Sequence, residues 1–187
     1  NYVDVIDGID TILTNSDPEV QKFSGFEQVS FMTKVAHQFS ENVDWEYGLY
    51  LTTTSDVPRY DRLLQESNGL LKYAVWDYEP QQWLMNRLAV NLHNNASWYD
   101  NAVFTFGYQN VKEGRNDRKY KDDWFRKREE QVNIFSFNAD FDKTMMNGNY
   151  LYYGIELVYN DVQSQGIEEN IVTKETNPVS SRYPDGG

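Results

Sequence analysis

The sequence predicts an all-β fold, an antiparallel up-and-down meander of about six long strands. Three observations carry this expectation. Apolar and polar residues alternate with period two along several runs. The connections between the runs alternate between long and short. Aromatics make up 16% of the chain, with 14 Tyr and 5 Trp among them, which fits strands that cross a membrane, because Tyr and Trp prefer headgroup depth.

The runs can be justified in order. Gln28–Phe39, "QVSFMTKVAHQF", alternates imperfectly. "VDWEYGLYLTT" alternates cleanly, with Val43, Trp45, Tyr47, Leu49 and Leu51 on one face. Gln81–Leu92 also places Leu84, Leu88 and Leu92 four apart, a helical spacing, but Val90 joins them on one β face. In "AVFTFGYQN", Ala102, Phe104, Phe106 and Tyr108 share a face. Gln131–Phe141 is less regular, whereas "LYYGIELVYN" sets Leu151, Tyr153, Ile155, Leu157 and Tyr159 against Gly154 and Glu156. The strands are therefore expected near 28–39, 43–54, 81–92, 101–112, 131–141 and 149–162. Asp44, Glu46, Arg87, Asn91, Asn138, Asp140 and Glu156 fall on the polar side of these ribbons.

Short turns are expected at 40–42, 93–100 and 142–148, and long loops at 1–27, 55–80, 113–130 and 163–187. Strict alternation of the two classes fits a transmembrane β-barrel, with periplasmic turns at one end and extracellular loops at the other. Strands of about twelve residues at ~3.3 Å each have the reach for it. Six strands are too few to close, because single-chain barrels begin at about eight. On that reading the chain is a segment of a larger barrel.

Composition narrows the partners. The net charge of -12 repels a phosphate backbone, so no nucleic acid is expected. With no cysteine there is no disulfide, thiolate metal site or Cys nucleophile. "NYVDVIDGIDTILTN" lacks the basic start and apolar core of a secretory signal. No apolar run approaches the ~20 residues of a membrane helix, and the mean hydropathy is -0.73.

At "TTSDVPRYDRLLQESNGLLKYAVWDYEPQQWLM" the chain resembles the barrel region of TonB-dependent outer-membrane receptors of the Bacteroidota type. The likeness rests on Pro58–Leu63, Asn68–Gly69, Leu71–Ala74, Trp76, Tyr78, Pro80–Gln81 and Trp83–Leu84, and extends to "YYGIELVYNDVQS" and "SSRYPDGG". Val75, Asp77 and Glu79 depart from the pattern, Glu79 standing where a glycine is usual. The resemblance implies a barrel of about 22 strands in the bacterial outer membrane, importing a scarce nutrient such as siderophore-bound iron or haem. It implies energisation by the TonB complex through a plug region, contact with outer-membrane lipid and lipopolysaccharide, the remaining strands of the same barrel as neighbours, and a surface lipoprotein as a possible cap. The alternative left open is a soluble β-sandwich module that binds glycan.

Candidate contacts follow. Arg59, Tyr60 and Arg62 in "DVPRYDRL", with Tyr73, Trp76 and Tyr78 in "YAVWDYEPQQW", could offer guanidinium donors and stacking rings to a ligand. The more ordinary reading is that the same residues fold the loop on itself. Arg126, Lys127 and Arg128, in a run of mixed charge, are candidates for lipopolysaccharide phosphates, or for a self-neutralising surface. No catalytic residue, metal ligand or cofactor site is expected, because His37 and His93 stand alone and no nucleophile or phosphate-loop motif occurs. The reading is of a chain that is not an enzyme. "NAS" at 95–97 is a formal glycosylation triplet, better read as a turn.

Overall fold

A computed structural model describes residues 1–94, 96–146 and 148–185. Asn95, which opens the glycosylation triplet, and Gly186–Gly187, which end "SSRYPDGG", lie outside the described residues.

Local turn chemistry sets the first elements. β1 (Tyr2–Ile6) and β2 (Ile9–Leu13) are joined by Asp7 and Gly8, with φ 51° and 78°. Such an Asp-Gly pair makes the two-residue turn whose twist suits a hairpin. β3 (Gln28–Ser40) and β4 (Val43–Thr54) follow, then β5 (Val57–Pro58), the one-turn α1 (Tyr60–Leu63), and β6 (Glu66–Ser67). Asn68 and Gly69, again at positive φ, turn the chain into β7 (Leu70–Leu71), and β8 (Tyr73–Tyr78) comes next. The remaining strands are β9 (Gln82–Leu92), β10 (Asn101–Lys119), β11 (Trp124–Thr144), β12 (Tyr150–Asn170) and β13 (Thr176–Pro178).

Nine strands make one antiparallel sheet in the order β13-β12-β11-β10-β9-β4-β3, with β8 on the distal part of β10 and β5 on β8. β1–β2 and β6–β7 are separate two-stranded sheets. The β1–β2 sheet packs on the distal end of the large one, where Asp10 meets Arg118. Gln81–Leu92, with its double reading, is strand from Gln82 onward.

The expected 22-stranded transmembrane barrel is corrected here. The chain is an all-β domain of packed antiparallel sheets, and none of them closes on itself. The large sheet ends at β3 on one side and at β12 with β13 on the other. In hydrocarbon, every unpaired N–H and C=O along such an edge costs several kcal/mol. An open sheet is therefore no barrel wall. The outer-membrane location and the uptake of siderophore-iron or haem fall with the barrel. So do the partners it implied: the TonB complex, outer-membrane lipid, further barrel strands and a surface lipoprotein. Alternation had reported one apolar face correctly, but period two says nothing about what covers that face. No helix among the described residues is long and apolar enough to cross a membrane.

The run 113–130 is chiefly strand, because β10 and β11 pair continuously from Asn101↔Asp142 to Asp117↔Arg126. β12 follows β11 through Trp124↔Asn170, so 163–170 is strand as well. Glu79, in the place where a glycine was usual, does not adopt a left-handed backbone. Its side chain lies instead across Gly114, where a Cβ would come within 2.4 Å of a Glu79 carboxylate oxygen.

Candidate functional site

Opposed residues of antiparallel strands share a face, so the register assigns every side chain of the large sheet to a side. One cross-strand row is Gln82, Lys112, Gln131 and Gln163. The next row toward the distal end is Gly114, Glu129 and Gln165, with Glu79 lying over Gly114. These two rows floor a cleft of about 610 Å³, walled by Glu79 and Pro80 on one side and Asp185 on the other. That volume suits a small-molecule site.

The charges in the cleft are largely spoken for. Lys127 Nζ stands 3.7 Å from Glu79 Oε1, and Gln165 donates to Glu129 at 2.9 Å. Asp185 accepts the Ser164 backbone N–H at 3.0 Å. The glutamine amides of Gln82, Gln131 and Gln163 supply both donors and acceptors.

Below the cleft the same face continues in two further rows. Leu84, Asn110, Asn133 and Asp161 form the first, linked by Asn110 donating to Asn133 at 2.8 Å and Asn133 to Asp161 at 3.3 Å. Asn86, Tyr108, Phe135 and Tyr159 form the second. Here the Tyr108 and Phe135 ring centroids are 5.1 Å apart, and those of Phe135 and Tyr159 are 6.4 Å apart. Phe135 and Tyr159 are 50% and 65% exposed. An amide and carboxylate cleft thus adjoins an exposed aromatic shelf, ~13 Å apart at ~3.3 Å per residue.

The row between those of Lys112 and Gly114, made of Glu113, Glu130 and Ser164, also lines the cleft, although strand alternation turns its side chains toward the opposite face. The segment after β13 covers it: Arg182 pairs with Glu113 at 3.3 Å, and Arg128 donates to the Ser180 carbonyl at 3.2 Å. Glu130 is buried, one of its oxygens has no hydrogen-bond partner, and burial raises its pKa despite nearby Arg115 and Arg182.

The residues singled out in the sequence lie elsewhere. Arg59 donates to both oxygens of Asp61 at 2.7 Å and to the Tyr78 hydroxyl at 2.9 Å. Its guanidinium lies over Trp76 and Tyr78, and Arg62 lies over Trp76. Hydrogen bonding to Asp61 holds Arg59 above its ordinary pKa. Tyr60 borders a crevice of only about 10 Å³, and Tyr73 carries Lys72 over its ring. The structure brings Arg59, Arg62, Trp76 and Tyr78 together as a self-satisfied loop core.

Lipopolysaccharide falls as a partner with the barrel, since the sheet stays open, and its three candidate residues face carboxylates of this chain. Arg126 faces Asp117, Asp122 and Glu168 within 3.3–3.7 Å, and Arg128 binds Asp117 at 2.7 Å. Lys127 faces Glu79.

The cleft was missed because Lys112, Gly114, Glu129 and Gln165 lie where both strand faces are polar. Alternation in hydropathy vanishes there, although the strand continues. No cluster among the described residues has the His, Asp and Glu geometry of a metal site. Searches with the chain against family models, curated proteins and solved structures give no match.

Proposed function

We propose that this chain is a non-catalytic β-sheet module that binds a neutral, hydroxyl-rich ligand of the glycan class. The observation that supports it is that the Gln82–Lys112–Gln131–Gln163 row and the Tyr108–Phe135–Tyr159 shelf share one face, with the polar Asn110–Asn133–Asp161 row between them. Planar amides and carboxylates accept and donate to hydroxyl pairs, while exposed rings take the apolar face of a sugar. A strongly cationic ligand fits less well, because Glu79, Glu129 and Asp185 already have partners. The reading assigns no acid–base pair and no covalent step.

Titration calorimetry against a panel of neutral oligosaccharides tests it. Gln131→Ala and Phe135→Ala should each weaken binding by about three- to tenfold. Arg62→Ala, in the self-satisfied loop, should leave it unchanged. Absence of binding to any neutral oligosaccharide at millimolar concentration, or equal loss in all three variants, would sink the reading.

A further inference from the structure

Two edges of the large sheet are open in a way that makes them complementary. β3 has every residue exposed along its 13-residue length. β12 is likewise exposed from Tyr150 to Asn160, while beyond this its edge is occupied. There Asp185 accepts the Ser164 N–H, Val179 donates to the Gly166 carbonyl, and β13 pairs with Ile167–Glu169. Long, flat edges carrying free backbone groups are templates for another strand.

Surface area gives the same message. The chain exposes 12308 Å², against roughly 9,300 Å² for a folded monomer of 22.0 kDa. The surplus, roughly 3,000 Å² by the same scaling, exceeds what a standard interface buries in total.

We infer that this chain assembles head to tail with copies of itself, β3 of one copy pairing antiparallel with the Tyr152–Val162 edge of β12 in the next. The order β3-β4-β9-β10-β11-β12 is antiparallel at each step, so β3 and β12 run in opposite directions. A neighbour's β3 therefore continues the sheet with the faces preserved. Charge fixes the register. On the polar face, β3 carries Lys34, 44% exposed and 3.5 Å from Glu46, while exposed β12 offers Glu156 on that same face.

Placing Lys34 opposite Glu156 sets Ser30 against Asn160, Ala36 against Gly154 and Gln28 against Val162. On the apolar face it sets Phe31 against Tyr159, Thr33 against Leu157 and Val35 against Ile155. That one register uses β3 from Gln28 to Gln38, where a bulge begins. It stops just short of Ser164, where Asp185 takes over the edge. Charge, face and length converge on one alignment. Because the contact joins unlike edges, it generates either a ring or an open chain.

Sedimentation over a concentration series of the full chain tests this, read through a charge swap. Lys34→Glu and Glu156→Lys should each weaken association by about tenfold, and the double swap should restore it to within about threefold. The chain has no cysteine, so a second readout is clean. Mixed Thr33→Cys and Leu157→Cys copies should form disulfide dimers between unlike copies, and Thr33→Cys with Leu151→Cys should not. Three results overturn the inference: a wild-type chain monomeric at roughly millimolar concentration, association indifferent to the charge swap, or Thr33→Cys cross-linking chiefly to itself.

Discussion

Arg118 grips Asp10 through the two terminal nitrogens of its guanidinium, at 2.6 and 2.7 Å, with the two side chains 6% and 5% exposed. The Lys121 backbone N–H adds a third donor to Asp10 at 2.7 Å, and Arg118 also reaches the Asp122 carbonyl at 3.0 Å. Burial pushes the Asp10 carboxyl up, but Arg118 and Lys121 more than reverse this and hold it below its ordinary value. The pair fastens the β1–β2 sheet to the distal end of β10.

Asp10→Asn leaves the buried Arg118 without its counter-charge. The expected cost is about 3–5 kcal/mol, localised where β1–β2 meets the large sheet. Hydrogen exchange should show β1 and β2 opening while β9–β11 stay protected. Exchange that rises uniformly across the chain would show that the pair is not a local fastening. Replacing both residues by apolar ones of similar size should cost much less than either single change.

Gly114 and Glu79 form a second couple. Adding a methyl group at Gly114 meets the Glu79 carboxylate at 2.4 Å and its Cβ at 2.8 Å. Gly114→Ala is expected to lose about 1–3 kcal/mol. In a Glu79→Ala background the same change should cost far less, so the two effects will not add. Additive losses in chemical denaturation would break this link.

His93 and Asp44 make a pH-sensitive contact beside the turn that follows β9. The ring Nε2 lies 2.7 Å from Asp44, and Nδ1 is 3.3 Å from Asn101. The Asp44 bond raises the His93 pKa above 6.5, while Asn91 and His93 lower that of Asp44 below 3.8. Stability from the histidine is present at low pH and fades as pH rises through its folded value. Stability from the aspartate is present at neutral pH and fades on acidification. The contact is therefore strongest in mildly acidic solution, between the two transitions. NMR titration should place His93 above 6.5 in the native chain and lower in Asp44→Asn. An unchanged value in the variant would refute the coupling.

Glu130 works in the other sense. Its burial raises the pKa above 4.5, so the folded state holds the proton longer, and stability falls as pH rises through that window. Glu130→Gln carries the neutral form at every pH. The variant should be more stable than the parent at pH 7, by about 1 kcal/mol, and the two should converge in acid. A destabilised variant at pH 7 would show that the charged carboxylate is the form the fold uses.

How much of this was legible depends on where side chains change character. Around Trp45–Leu51 and Phe104–Tyr108 one face is apolar and the other polar, so the strands and their faces could be read from the chain alone. From Lys112 to Lys119 and from Trp124 to Glu130 both faces carry charges or amides, and the periodicity that betrays a strand disappears. The cleft lies in that silent stretch. Arg59, Trp76 and Tyr78 were visible as a motif, but their mutual contacts turn them inward as a loop core.

By itself the sequence determined that backbone pairing would be antiparallel, that one face of the ribbons would be oily, and that no thiol chemistry was available. Only the tertiary structure decided that the large sheet stays open, that Asp10 is sealed against Arg118, and that residues as distant as Glu79 and Asp185 wall a single cleft. Local alternation is written within a few neighbouring residues. Register, closure and edge capping are settled by partners tens of residues away, and no short window contains them.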